Sequence, residues 1–210
     1  MDGTMVDNMM VHHRAWQIKL KDLGLDLPLE EVRKTIHGKN EEILLRLFGD
    51  RYTQEERLRL AWEKEEAYRV VFKDSLQLIE GLPAFLEQCR EHQIALAIGS
   101  AAPGENVVFV LDNLDLNHYF KAVVHADLVN KGKPDPQVFH MAADALGVPA
   151  SECIVFEDSP VGVQTALNAG CKAVVITTTH TEEEFAHFPN VLFFIKNYFD
   201  PRLQTLLPVK

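Results

Sequence analysis

The hydrophobic pattern of the chain changes character near residue 75, and that change restricts the fold more than any other feature. Up to that point apolar residues recur only at helical spacing. Asn8 to Leu23 reads as a helix with Gly24 as its stop. Leu29 to His37, Glu41 to Phe48 and Gln54 to Phe72 read as three more, parted by Gly38-Lys39-Asn40 and Gly49-Asp50. No strand signal precedes residue 75. Beyond it, helical stretches alternate with short apolar runs. Leu82 to His92 is followed by Ile94 to Ile98, Pro103 to Leu114 by Ala122 to Val124, and Asp135 to Leu146 by Cys153 to Phe156. Pro160 to Ala169 leads to Ala173 to Ile176, and a short helix over Glu182 to His187 leads to Val191 to Ile195. Such alternation means a parallel sheet covered by helices on both faces. The expected class is therefore α/β: a core of residues 1–7 and 74–210, with an all-α insert over residues 8–73 and a boundary near Lys73-Asp74-Ser75.

The most chemical stretch of the core is Cys153-Ile154-Val155-Phe156-Glu157-Asp158-Ser159-Pro160. Its apolar half reads as a buried strand. Ser159 suits an N-cap, Pro160 a first helical residue, and Gly170 a helix stop. Glu157 and Asp158 thus stand where a strand ends and a helix begins. In open α/β sheets the carboxyl edge of the strands is where ligands bind. Adjacent carboxylates repel each other, and a hard divalent cation would relieve them; a solvated acidic turn is the plain alternative.

Composition narrows the partners. Of 210 residues, 47% are hydrophobic and 25% charged, which suits a soluble protein with a full core. No apolar run approaches the ~20 residues of a membrane helix, and the polar, acidic N-terminus does not read as a signal peptide. A net charge of -10 argues against nucleic acid and asks for local cations at any phosphate site. Cys89, Cys153 and Cys171 lack metal spacing, and Cys153 and Cys171, beside apolar strands, read as buried reduced thiols rather than bridges, so a cytoplasmic protein is expected.

Four pieces fall at strand ends or tight turns: Asp2-Gly3-Thr4, Ser100 after the Ile94–Ile98 run, Lys133 in Lys131-Gly132-Lys133-Pro134-Asp135-Pro136, and Glu157-Asp158. Each alone has an ordinary explanation, as a turn, an N-cap, a solvated lysine and an acidic surface. In this order and layout they closely resemble the haloacid dehalogenase-like superfamily, in the branch with a helical cap after the first motif. β-phosphoglucomutase-like sugar-phosphate phosphatases are the nearest likeness. The resemblance runs almost end to end and implies a Rossmann-like core with residues 8–73 as the cap. The family's first motif is Asp-x-Asp-Gly-Thr. Met1 takes its variable place and Asp2-Gly3-Thr4 its second half, so the nucleophilic aspartate and its strand would precede Met1. A start assigned at an internal methionine is the expected explanation, and a truncated, inactive protein the alternative.

The resemblance also implies the chemistry. The nucleophile would form an aspartyl-phosphate, with Asp2 as general acid and then base. Mg²⁺ would be held by the absent aspartate, the Asp2 carbonyl and Asp158, with Glu157 as a direct or water-linked ligand. Ser100 and the amides after it, Ala101 first, would hold phosphoryl oxygens, and Lys133 would neutralise charge. Asn106 matches a family position near this pocket, against the simpler reading of a helix-surface amide. In the insert, His12 and Trp16 share a helix face, as do Lys64 and Tyr68. By resemblance His12, Trp16, Gly38, Lys39 and Lys64 face the substrate, and the cap's approach excludes bulk water. Where the mutase carries an arginine for a distal phosphate, this chain has Glu41. Hydrolysis of a small phosphomonoester therefore fits better than a phosphoglucomutase, by a monomer or weak dimer. A non-catalytic phosphate- or metal-binding protein stays open, and dehalogenase chemistry suits Asp2 and the acidic pair less well.

Overall fold

A computed structural model describes residues 1–36 and 38–208; His37, the expected end of the second helix, lies outside the described residues. The chain divides into two compact units, one of Asn8–Leu76 and the other of residues 1–7 with the chain from Gln77 onward. No helix among the described residues is long and apolar enough to cross a membrane.

The first unit is all helix: α1 (Met9–Asp22), α2 (Leu29–Thr35), α3 (Asn40–Phe48) and α4 (Gln54–Phe72). Helical spacing on each element supplies the core. Trp16 and Leu20 of α1, four residues apart, are buried with Val32 of α2 and Ile43 and Leu44 of α3. Thr53 starts α4 with a capping box: its hydroxyl accepts from Glu56 N at 3.2 Å, and the Glu56 carboxylate accepts from Thr53 N at 2.8 Å.

The second unit alternates α5 (Leu82–Glu91), β1 (Leu96–Gly99), α6 (Gly104–Asn113), β2 (Phe120–Val124), α7 (Gln137–Leu146), β3 (Ile154–Glu157), α8 (Pro160–Ala169), β4 (Lys172–Ile176) and β5 (Val191–Ile195). All strand pairs are parallel. β1 pairs with β2, and β3, β4 and β5 form a second ribbon in that order. β4 is paired on both sides and explains the covering helices. Its Val174 and Ile176 pack with Leu82, Phe85 and Leu86 of α5. Its Ala173 and Val175 pack with Val138 of α7 and Val163 and Ala166 of α8. Ile98 of β1 joins the first cluster and Val124 of β2 the second, so side-chain packing ties the two ribbons together.

Two local expectations are corrected. The Cys153–Phe156 run is not a buried strand: β3 ends on Glu157, Ile154 is 37% exposed, and Val155 and Phe156 are half-buried. β3 lies at the edge of its ribbon, so full burial falls on β4 instead. The stretch after Thr181 forms a 3-10 turn over Glu182–Phe185 rather than an α-helix; it is too short for α-helical bonds to propagate.

Candidate active site

The carboxyl ends of β1, β3 and β4 carry the chemical residues. The first motif is a tight turn: Gly3 has φ +67°, Gly3 N donates to Val6 O at 2.9 Å, and Met5 N to Met1 O at 2.6 Å. Among the bonds that fix this turn to the unit are Ile79 N to Met5 O (2.8 Å) and Tyr198 Oη to Thr4 O (3.0 Å). Glycine is required at position 3 for two reasons. The left-handed φ is costly for other residues, and a Cβ there would run into the Asp158 carboxylate.

The acidic turn is built by β3 and the start of α8. Ser159 caps α8, its hydroxyl accepting from Gly162 N at 3.2 Å, with Pro160 at the first helical position. Both carboxylates are buried, and different partners hold them. Glu157 pairs with the Lys133 ammonium, and also accepts from Asp158 N (3.2 Å) and Ser159 Oγ (3.3 Å). Asp158 accepts from Thr4 Oγ1 on Oδ1 at 3.2 Å and from Thr179 Oγ1 on Oδ2 at 2.7 Å. Burial pushes Glu157 up, but the Lys133 charge and hydrogen bond outweigh it and hold the carboxyl below its ordinary value. Burial, and then the charge of Glu157, push Asp158 up to about 6.

Lys133 is no solvated loop residue. Only 12% of its side chain is exposed, and Nζ lies 3.4 Å from Gly99 O and 4.6 Å from the centre of the Phe139 ring. The ammonium therefore sits where β1 and β3 both end. Ser100 follows Gly99 directly and is buried; its N donates to Val124 O (2.9 Å), and its hydroxyl accepts from Ala102 N (3.1 Å). Ala101 beside it is exposed. Asn106 is fully buried in α6, which overturns the helix-surface reading of that amide.

The structure thus brings Gly3, Thr4 and Asp158 together, and Lys133, Glu157 and the Gly99–Ser100 corner; Asp2, half-buried, is next to Gly3 in that turn. Residues that sequence reasoning missed are Thr178, Thr179 and Tyr198. Thr178 Oγ1 donates to Gly3 O at 2.5 Å. A run of three threonines directly after an apolar strand was the available signal.

The helical unit gathers its own polar group. Lys64 Nζ lies 3.0 Å from His12 Nδ1 and 2.8 Å from Glu65 Oε1, with the Trp16 ring centre 5.4 Å away. His12 stacks on Tyr68 with ring centres 3.8 Å apart. Asn40 Nδ2 donates to Glu65 Oε1 at 2.6 Å, which links the Gly38-Lys39-Asn40 turn to α4; Lys39 N donates to Glu42 Oε2 at 3.3 Å. Lys64 is thus a buried ammonium, its side chain 2% exposed, rather than one of many surface charges. Burial raises the Glu65 carboxyl, but Lys64, His12 and the hydrogen bonds hold it below the usual value.

At this turn the α/β unit offers a divalent cation the Asp158 carboxylate and backbone oxygens. The absence of a Cβ at Gly3 lets the first-motif backbone lie directly on Asp158, and the like charge of Glu157 favours a bound cation. Among the described residues no three His, Cys, Asp or Glu side chains gather as a full ligand set. The carboxylate and backbone oxygens at this turn suit a hard divalent cation that takes few protein oxygens and keeps several waters.

Residues 1–170 match the haloacid dehalogenase-like hydrolases. The fructose-1-phosphate phosphatase YqaB of Escherichia coli is 33% identical over 175 residues, covering 83% of this chain and 92% of that protein. The crystal structure of a HAD hydrolase, family IA, variant 3, from Entamoeba histolytica superposes with a TM-score of 0.86 at 26% identity, over 94% of this chain and 91% of that one. A β-phosphoglucomutase from Clostridium difficile shares the fold, with a TM-score of 0.82 at 23% identity over 98% and 92% of the two chains.

Proposed function

The chain belongs to the haloacid dehalogenase-like hydrolases, a family of enzymes, and on that premise we propose that it is built for Mg²⁺-assisted hydrolysis of a small sugar phosphate or similar phosphomonoester. One observation carries the reading: Thr4 of the first motif bonds Asp158 at 3.2 Å, while the Lys133 ammonium spans Glu157 and the Gly99 carbonyl where β1 and β3 end. Residues far apart in sequence meet there, which supports a shared role in phosphoryl transfer.

Asp158 and the Asp2 carbonyl would hold Mg²⁺, which when bound supplies charge neutralisation for the phosphoryl oxygens. Lys133 would add a second positive charge, and Glu157 keeps that ammonium oriented. Ser100 and the Ala101 amide hold phosphoryl oxygens at the corner leading to α6. Asp2 protonates the leaving oxygen and then takes a proton from water. The carboxylate that attacks phosphorus in this family falls at the position ahead of Met1, outside this sequence.

His12, Trp16, Gly38, Lys39 and Lys64 would act in substrate choice from the helical unit. Lys64 already has Glu65 as a counter-charge, and Glu41 stands in the first turn of α3. The Glu41 carboxylate would repel a second phosphate, whereas sugar hydroxyls can exchange hydrogen bonds with the Lys64–Glu65 group. That favours a monophosphate over a mutase's bisphosphate intermediate, and the activity named for the E. coli relative points the same way.

The test is phosphate release from a panel of sugar monophosphates, fructose 1-phosphate among them. It is run on the 210-residue chain and on one extended by an apolar strand ending in aspartate directly ahead of Met1. The extended chain should release phosphate only with Mg²⁺, and Asp2→Asn should slow it by about 10²-fold or more. Equal release by both chains would refute the role given to a carboxylate ahead of Met1. Glucose 6-phosphate formed from β-glucose 1-phosphate, in place of free phosphate, would establish the mutase instead.

A further inference from the structure

The loop after β4 carries Thr177-Thr178-Thr179-His180, and the reaction just described uses none of them. Thr179 Oγ1 stands 2.7 Å from Asp158 Oδ2 and 2.7 Å from Asp158 O. His180 Nδ1 stands 2.8 Å from Thr179 Oγ1 and 3.1 Å from Asp158 O. The His180 ring meets Phe185 edge-on, with planes at 81° and centres 6.1 Å apart, which holds its orientation.

Counting hydrogens decides how this group is wired. The Thr179 hydroxyl has one hydrogen and three polar neighbours. Both Asp158 oxygens are acceptors. If Nδ1 were bare, one hydrogen would have to serve three acceptors, and lone pairs would oppose each other at hydrogen-bonding distance in a half-buried site. With a hydrogen on Nδ1 two hydrogens serve the group, and only the Thr179 Oγ1–Asp158 O contact is left without one. Nδ1–H is given to Thr179 Oγ1 and shared with Asp158 O, and Oγ1–H goes to Asp158 Oδ2. The other oxygen, Oδ1, accepts from Thr4.

We infer that His180 and Thr179 form a hydrogen-bond relay that positions Asp158 for a divalent cation. His180 fixes the direction of the hydroxyl, and the hydroxyl fixes the carboxylate. The inference rests on Asp158 being the Mg²⁺ ligand. Both are positioning residues, since neither touches the phosphate. Partners of this kind, which orient a ligating carboxylate, are worth 10–100-fold in metal affinity.

Two measurements on the 210-residue chain test the relay. Long-range proton–nitrogen correlation spectra assign the ring hydrogen of His180, and calorimetry gives the affinity for Mg²⁺ alone. The hydrogen is expected on Nδ1. Thr179→Val and His180→Ala should weaken Mg²⁺ binding by about 10–100-fold. Thr179→Ser keeps the hydroxyl, and His180→Asn puts an amide donor where Nδ1 stood; both should stay within about threefold of the parent. A merely structural role would lower the melting temperature without separating these pairs. A hydrogen on Nε2 alone, or Thr179→Val binding Mg²⁺ as well as the parent, overturns the relay. No uptake of Mg²⁺ by this chain or by one extended by an apolar strand and aspartate ahead of Met1 would instead remove Asp158 as the ligand, and the positioning role with it.

Discussion

Gly162→Ala sets helix propensity against the geometry of the site. Gly162 lies in the first turn of α8 with no left-handed φ, so propensity alone favours alanine by about 0.5–1 kcal/mol. The added Cβ would land on the Glu157 carboxylate. Glu157 is 6% exposed and cannot swing into water; to move, it must give up Lys133, Ser159 Oγ and the Asp158 amide. Separating a buried ion pair costs about 3–5 kcal/mol. After the propensity gain the net loss is about 2–4 kcal/mol, or roughly 5–15 °C in melting temperature for a protein of this size. Thermal unfolding of the parent and the variant measures it. A double-mutant cycle with Glu157→Ala isolates the cause. In that background the collision is gone, and Gly162→Ala should stabilise by about 0.5–1 kcal/mol. A Gly162→Ala protein that melts at or above the parent, or an effect of the same sign in both backgrounds, would refute the reasoning.

Two further outcomes come from the helical unit. His13 is 8% exposed with Nδ1 lacking a partner, and burial followed by Arg33, His12 and Lys64 lowers its pKa from 6.5 to about 4. Between those values the unfolded chain binds more protons, so stability is full above about pH 6.5 and falls by up to about 3 kcal/mol as pH drops toward 4; His13→Gln should flatten that slope in urea unfolding followed against pH. Lys64→Met leaves the buried Glu65 without its ammonium and should cost about 3–5 kcal/mol in urea unfolding followed by circular dichroism. Lys64→Met with Glu65→Gln should recover much of that, and Lys64→Met alone unfolding like the parent would discount the pair.

Much of this was legible in the sequence because it is local. The shift from helical spacing to alternation near residue 75 depends only on which residues face a core, and the two units divide at Leu76–Gln77. The Ser159-Pro160 cap and the Gly170 stop each need only a few neighbours. What could not be read is set by distant pairing. β3 carries the same apolar pattern as β4, yet only β4 has ladder partners on both sides, and periodicity does not distinguish them. The burial of Lys133 and Lys64 follows from acids 24 residues away and one residue away, at spacings that would elsewhere signify nothing. Thr178 and Thr179 reach Gly3 and Asp158 across 175 and 21 residues, so no local rule nominates them.

The division of labour between Glu157 and Asp158 has the same origin. As neighbours in sequence they are nearly equivalent carboxylates, and their mutual repulsion would raise both. The fold breaks the symmetry by giving one of them a cation. Lys133, carried to the end of β3, stabilises the charge on Glu157. Asp158 receives only hydroxyl donors from Thr4 and Thr179, which hold an anion less strongly than an ammonium does. It is left as the carboxylate with unneutralised charge, pushed up to about 6, and so as the one a cation would stabilise most. Lys133→Met should therefore act on both acids. The ammonium that held Glu157 down would be gone, two carboxylates without it would share a buried turn, and the N-terminal amino group and a bound Mg²⁺ would be the positive charges acting on them. The stabilisation that Mg²⁺ gives in thermal unfolding should then be larger in Lys133→Met than in the parent. An equal or smaller Mg²⁺-dependent rise in melting temperature would show that the two carboxylates do not share one field.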